Sequence, residues 1–397
     1  MSKWSWNKFC LTLCTGALTV LAAPSQAASG SYAFTDLGTL KNQSPRPIVF
    51  ETARAFGIND SVQIVGDSIT SFTGEPSNHA FLYNGGTMTD LGTLMGPTSE
   101  ASATGYAINN VGQIAGTSYV EFGGNFAINH AFIYSGGAMR DLGTLGGSNS
   151  YGYAVNNAGQ LVGRSQASFT PGANPRTDPA PYRAFLYSGG RMADLGTLGG
   201  SNSSAYGINT GGYVVGTSQV AGDAATRAFV YRGGRMIDLG TLGGANSTAY
   251  GINDTGHIVG TSDLAGNNRS HAFFHDGSAM RDLGTLGGST SVAKAINNAG
   301  QIVGSSRVNN LPYDPLNYST YSQAFLYENG RMINLNHLPE VRNSGWVLLE
   351  ATAINNSGQI VGYGYIRGDE RFRAFLLTPS CGGRNGPPMQ GPKHPRK

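Results

Sequence analysis

One unit recurs seven times along this chain, and that repetition constrains the fold more than any other property of the sequence. Residues 238–280 read DLGTLGGANSTAYGINDTGHIVGTSDLAGNNRSHAFFHDGSAM, and the unit starts again at Asp282. The Asp-Leu-Gly-Thr-Leu piece begins at Asp36, Asp90, Asp141, Asp194, Asp238 and Asp282, with a degenerate seventh copy at Asn334. An Ile-Asn or Val-Asn pair begins at Ile58, Ile108, Val155, Ile208, Ile252, Ile296 and Ile354. An Ala-Phe pair places Phe81, Phe132, Phe185, Phe229, Phe273, Phe325 and Phe375. A period of this length makes each unit one supersecondary element that buries its apolar face only against its neighbours.

Within the unit, apolar residues alternate over short runs bounded by glycine, asparagine and serine, which specifies half-buried strands rather than helices. Four runs are expected, at 248–253, 257–262, 271–275 and 280–284. The first two are joined by Asp254-Thr255-Gly256, a short polar turn whose glycine suits positive φ. The last two are joined by pairs such as Gly85-Gly86, Gly136-Gly137, Gly189-Gly190 and Gly233-Gly234, which suit a two-residue primed turn. Four antiparallel strands repeated seven times predict an all-β, seven-bladed β-propeller.

The two ends of the repeat region carry the closure. Residues 32–40 read YAFTDLGTL and match the fourth run alone, whereas the last unit, 351–378, has the first three runs and no fourth. The N-terminal strand is therefore expected to complete the last blade and remove the free sheet edge.

These residues resemble the HAF repeat family of bacterial extracellular proteins, on His-Ala-Phe at His79, His130 and His271 together with DLGTLGG and GQIVG. The resemblance spans almost all of 32–378 and implies export and a repeated β architecture, with no general activity. Arg183, Arg227, Gln323 and Arg373 stand in the histidine place in the other copies, so that histidine is not a required catalytic group.

Lys3 and Lys8, an apolar run over 9–21 and small residues at Ser25, Ala27 and Ala28 predict a secretory signal peptide over 1–28. The run is short for a membrane span, so no integral membrane segment is expected after cleavage. Leu13 before Cys14 argues against lipidation, and with Cys10 and Cys14 removed the mature chain keeps only Cys381. A secreted protein without an internal disulfide must be held by packing. The propeller is expected over 29–379 as a monomer, followed by a disordered Gly/Pro/basic tail over 380–397. With 40% apolar residues, 12% charged and a net charge of +3, the 59 glycines mark turns, and nothing resembles a nucleic-acid footprint.

Possible sites are few. His79 and Asp90 are expected on one face as diagonal neighbours of a hairpin that sets Phe81 opposite Asp90, a structural pair rather than acid–base machinery. Gln323 with Asn334, and Arg373 with Asp36, are the corresponding pairs in the last two blades. The Asn-x-x-Gly turns offer too few carboxylates for calcium, and asparagine bonding its own turn accounts for them. No zinc spacing, nucleophile elbow or phosphate loop is present, and no cofactor is expected.

Variation between units locates a working surface. The glycine hairpins stay short at one end of the strands, while insertions at 166–182, 307–322, 41–51, 339–349 and 69–78 gather at the other. An inner-strand aromatic at Phe56, Tyr106, Tyr153, Tyr206 and Tyr250 becomes Lys294 and Thr352 in blades six and seven, beside the longest insertions. Loops on a rigid scaffold are where binding usually resides. Trp346, Tyr313, Tyr318, Tyr321 and Lys294 are accordingly the candidate ligand-binding residues, for an extracellular glycan, polymer or protein. The alternative is a glycosidase or lyase using Asp314, Glu340 and Glu350 at the channel mouth, two of them flanking the scissile bond.

Overall fold

Seven four-stranded antiparallel sheets surround a common axis in the computed structural model, which describes residues 31–40, 52–70, 77–96, 101–123, 126–168, 180–310 and 322–380. Chain order within six of the sheets runs from the axis outward, and the innermost strands of successive blades touch one another. In blade one the strands are Ala53–Ile58, Ile64–Thr70, Ser77–Asn84 and Thr87–Asp90. The outer hairpin has the expected register, with Tyr83 opposite Met88 and Phe81 opposite Asp90. Gly85 and Gly86 turn it at φ 56° and 89°, a primed geometry that a side chain would strain.

The ring closes as the sequence predicts. Tyr32–Asp36 is the outer strand of blade seven, paired antiparallel with Asp369–Pro379 from Tyr32 opposite Pro379 to Asp36 opposite Phe375. Leu37 and Leu40 then pack with Ala53, Ile64 and Phe81 of blade one and Val361 and Leu376 of blade seven, so one segment binds both sides of the seam.

The motif letters are packing and hydrogen-bonding devices. All seven phenylalanines of the Ala-Phe pairs are fully buried. Phe81 lies opposite Gly66 and Phe273 opposite Gly260, where a Cβ would strike both the aromatic ring and a main-chain oxygen of the inner strand. Glycine on the second strand and phenylalanine on the third are thus a single packing unit. In the Asp-Leu-Gly-Thr-Leu piece, Asp90 accepts from the Gly92 amide at 2.7 Å, an Asx turn. The Leu94 amide then donates to Ser118 of the next blade at 2.9 Å. Leu40 makes the equivalent bond to Ser68 at 3.0 Å, which ties the N-terminal copy to blade one.

Three expectations need correction. The inner strands of blades three to five are Gly146–Val155, Gly199–Ile208 and Gly243–Ile252, so the Gly-Gly after each leucine belongs to the strand instead of preceding it. The stretch 339–349 is not a plain surface insertion. It follows a 3-10 turn, Leu335–His337, forms a one-turn helix, Pro339–Arg342, and enters the inner strand Trp346–Ile354. Leu335, Leu338, Val341 and Trp346 share a core with Tyr32, because the borrowed outer strand leaves an apolar flank that needs cover. Burial there pushes the Tyr32 phenol up to about 12, with Glu328 adding to the shift.

The third correction concerns the arginine copies of the diagonal pair, where Arg227 is expected to pair with Asp238. His79–Asp90, His130–Asp141 and His271–Asp282 pair at 2.8, 2.8 and 2.9 Å, Arg373–Asp36 at 3.4 Å, and Asn334 donates to Gln323 at 2.6 Å. Among the described residues no ion pair joins Arg183 to Asp194 or Arg227 to Asp238. Arg183 instead contributes to depressing the Asp223 carboxyl, after the hydrogen bonds from Ser201.

Candidate functional site

Each inner strand slips register by one residue against its partner, and the residue inserted by that bulge is Phe56, Tyr106, Tyr153, Tyr206, Tyr250, Lys294 or Thr352. A bulge re-aims the extra side chain. Here it reaches from one inner strand to the next. Ring centroids lie 5.5 Å apart for Phe56–Tyr106 and for Tyr106–Tyr153, and 5.4 Å apart for Tyr153–Tyr206 and for Tyr206–Tyr250. Lys294 Nζ continues the series 4.9 Å above the Tyr250 ring, and Thr352 donates to the Ala55 carbonyl at 2.8 Å. The seven side chains form a belt around the axis. Burial raises the phenols of Tyr106, Tyr153 and Tyr250, so they stay neutral donors near pH 7.

One layer nearer the inserted end, blades two, four and five set small hydroxyls across the two inner strands, such as Thr104 opposite Thr117 and Thr248 opposite Thr261. Blade six keeps only Ser305, opposite Val292, and blades seven and one replace both hydroxyls. Arg54 meets Asp67 in a two-pronged ion pair at 2.6 and 3.1 Å, while Glu350 accepts from Tyr363 at 2.6 Å and pairs with Lys294 at 3.1 Å. Burial alone would lower the Lys294 pKa, but Glu350 beside it holds the ammonium above its ordinary value. Burial, with Glu350 second, raises Tyr363. Blade three departs differently, with Arg164 between the rings of Tyr151 and Tyr182 at 4.7 and 4.5 Å.

The opposite mouth is built from the short turns. Asn59 Nδ2 donates to the Asn109 carbonyl, and the same bond passes through Asn156, Asn209, Asn253, Asn297 and Asn355 back to Asn59, at 2.8 to 3.1 Å throughout. Each Oδ1 accepts from its own turn, as Asn59 does from the Ser61 and Gln63 amides. Outside this ring lies a second tier in which Asp60 accepts from the Asn356 amide at 2.9 Å and Asp254 from Thr210 at 3.0 Å. Together the two tiers line a polar cavity of about 240 Å³. Burial opposes ionisation of Asp60 and Asp254, but hydrogen bonds from Asn356 and Asn110, and from Asn298 and Thr210, outweigh it and lower both carboxyls.

The predicted site residues separate. Lys294 faces the axis with Glu350, bringing together a binding candidate and a catalytic candidate. Trp346 does not lie in a loop: it is only 4% exposed, with its ring 5.1 Å from Phe34, and the covering of the borrowed outer strand explains it. Glu340 sits on the short helix that packs against that outer strand and the inner strand of blade seven. Tyr313, Asp314, Tyr318 and Tyr321 lie outside the described residues, as do 1–28 and Cys381. Arg54, Asp67, Tyr151, Arg164, Tyr182 and Tyr363 were not anticipated. Their signal was a charged or aromatic residue at positions where other units carry serine or threonine. Among the described residues no group of three or more His, Cys, Asp or Glu could hold a metal ion, and no helix is long and apolar enough to cross a membrane.

A family model described as "Protein of unknown function (DUF3466)" matches residues 242–372, about a third of the chain. No curated protein sequence matches. Among solved structures, an acylaminoacyl peptidase from Pyrococcus horikoshii is similar at 9% identity and a TM-score of 0.46, over 80% of this chain and 49% of that one. This chain therefore spans about half the length of that peptidase. The β-propeller domain of the Trilobed protease from Pyrococcus furiosus is similar at 9% identity and a TM-score of 0.39, over 73% and 99% of the two chains. A gluconolactonase from Xanthomonas campestris is similar at 11% identity and a TM-score of 0.35, over 70% and 89%. At such identities no activity carries over.

Proposed function

We propose that this propeller is an exported binding module of the HAF-repeat type, holding an extracellular glycan, polymer or protein at the inserted end of its axis. The observation that carries this reading is the charge placed on the inner wall of three consecutive blades, six, seven and one. Arg54–Asp67 and Glu350–Tyr363 stand where blades two, four and five pair serine or threonine, and Lys294 stands in the place of a belt aromatic, next to the insertions. A symmetric ring needs no such departure for packing, and polar groups fixed on strands suit recognition.

The alternative of a glycosidase or lyase is less well supported. Glu350 is held by Lys294 and Tyr363, and Asp67 by Arg54, so neither carboxylate is free to trade a proton with a leaving group. The test is a glycan array probed with purified protein, with reducing-sugar release measured alongside. Retained glycans without sugar release, and their loss in Lys294→Met combined with Glu350→Gln, are the expected results. The double change removes both charges together and leaves no orphan. Sugar release abolished by Glu350→Gln would establish the enzyme instead.

A further inference from the structure

Three cations stand on the two innermost strands of the ring: Arg54, Arg164 and Lys294. Two are neutralised, Arg54 by Asp67 at 2.6 Å and Lys294 by Glu350 at 3.1 Å. Arg164, on the second strand of blade three (Leu161–Ala167), is not: no ion pair reaches it among the described residues, and its Nε is buried without a hydrogen-bond partner. What holds it is aromatic. The guanidinium carbon lies 4.7 Å from the Tyr151 centroid and 4.5 Å from that of Tyr182, and the two rings, 6.0 Å apart, are tilted by 53° into an open jaw.

From this we infer that Arg164 is an anion-binding residue, and that the ligand is an acidic polysaccharide whose carboxylate or sulfate it takes. A guanidinium gripped through its faces keeps its N–H donors directed outward along its edge, the geometry that matches an oxyanion. Other blades carry a small neutral hydroxyl, Thr117, Thr217, Thr261 or Ser305, at the same register. Tyr182 stands at the end of the 166–182 insertion, so the jaw belongs to the same end of the axis as Lys294 and Arg54. Burial, aided by a hydrogen bond with Tyr151, pushes the Tyr182 phenol up to about 12. An acidic sugar presents an oxyanion and an apolar ring face together, which is what a cation set among tyrosines recognises.

This inference rests on the binding reading and narrows its ligand. The test measures binding of purified protein to polygalacturonate, chondroitin sulfate and neutral dextran, for the parent, Arg164→Gln and Arg164→Thr, with melting temperatures recorded. Arg164→Thr restores the hydroxyl of the other blades and so keeps the fold as a control. Both variants are expected to lose about tenfold or more in affinity for an acidic polysaccharide while melting close to the parent. Polygalacturonate alone would identify a carboxylate, and chondroitin sulfate with no polygalacturonate binding a sulfate. Acidic polysaccharide bound equally by parent and variants would overturn the inference. Binding of dextran alone would overturn it while leaving the binding module intact, and binding of no polysaccharide would remove it altogether.

Discussion

Asn355 on the turn of the last blade donates its Nδ2 hydrogen to the main-chain oxygen of Asn59 on the first, 3.1 Å away and 296 positions earlier in the chain. Because the same bond joins every other neighbouring pair of blades, the ring is latched at its axis as well as at its rim. The asparagine of each turn thus serves two directions, its oxygen fixing its own hairpin and its amide fixing the next blade.

Separating those two jobs gives the first prediction. Asn253→Ala removes the bond to Asn297 at 3.1 Å and the turn bond from His257 at 2.9 Å, and should cost about 2 kcal/mol. Asn253→Asp keeps the turn acceptor but sets an oxygen against the Asn297 carbonyl. Denaturant melts at pH 7 should show it destabilised as well. An aspartate variant as stable as the parent would mean that the belt contributes nothing beyond the turn.

Deleting residues 32–40 should be far more damaging. It removes the outer strand of blade seven and the buried Tyr32, Leu37 and Leu40, at about 1.5–3 kcal/mol for each large side chain. It also bares a sheet edge. Thermal melts and size-exclusion profiles should show a much lower transition and self-association. A deletion variant that melts with the parent would contradict closure by this strand.

Two double-mutant cycles distinguish blades that differ in the diagonal pair. His271→Gln with Asp282→Asn should couple by roughly 0.5 kcal/mol, since the two side chains meet at 2.9 Å. Arg227→Gln with Asp238→Asn should be additive, because no ion pair joins them. Coupling of equal size in both cycles would show that the arginine blades are paired in solution.

Acid should loosen the mouth formed by the short turns. Asp60 and Asp254 have folded pKa values below their unfolded ones. The stability they add is therefore fully present above about pH 4 and is lost as pH falls through the lower folded values. Asp60→Asn combined with Asp254→Asn should be less stable than the parent at pH 7, and the gap should narrow by pH 3. A gap that stays constant with pH would show that the two carboxylates are not stabilised in the fold.

The blades, their number, the outer hairpin register and the strand exchange were legible because each unit repeats the same alternation and the end units are complementary. The asparagine belt was not. Local bonds from Asn59 to Ser61 and Gln63 already explain an asparagine in a turn, and its other partner, Asn109, lies 50 residues away. Trp346 was misread because a gap between repeats looks like a surface loop, whereas this one folds back over Tyr32. Lys294 stood out as an exception in an aromatic column. Arg164 did not, since Tyr182, half of its jaw, lies on another strand and only the sheet brings it within 4.5 Å.

The exchanged strand also sets an order of events. Tyr32–Asp36 is made early, and its partner Asp369–Pro379 only after more than 330 further residues, as the 337-residue separation of Asp36 and Arg373 records. Six blades can assemble while the chain is still growing, each on the one before it, but the seventh must wait for both ends. Joining them is a pairing of strands far apart in sequence, the kind of step that folds slowly. Until then, the early segment is an unpaired apolar strand. The nascent protein is thus most vulnerable to mispairing with another copy just before it is complete, and least so immediately afterwards.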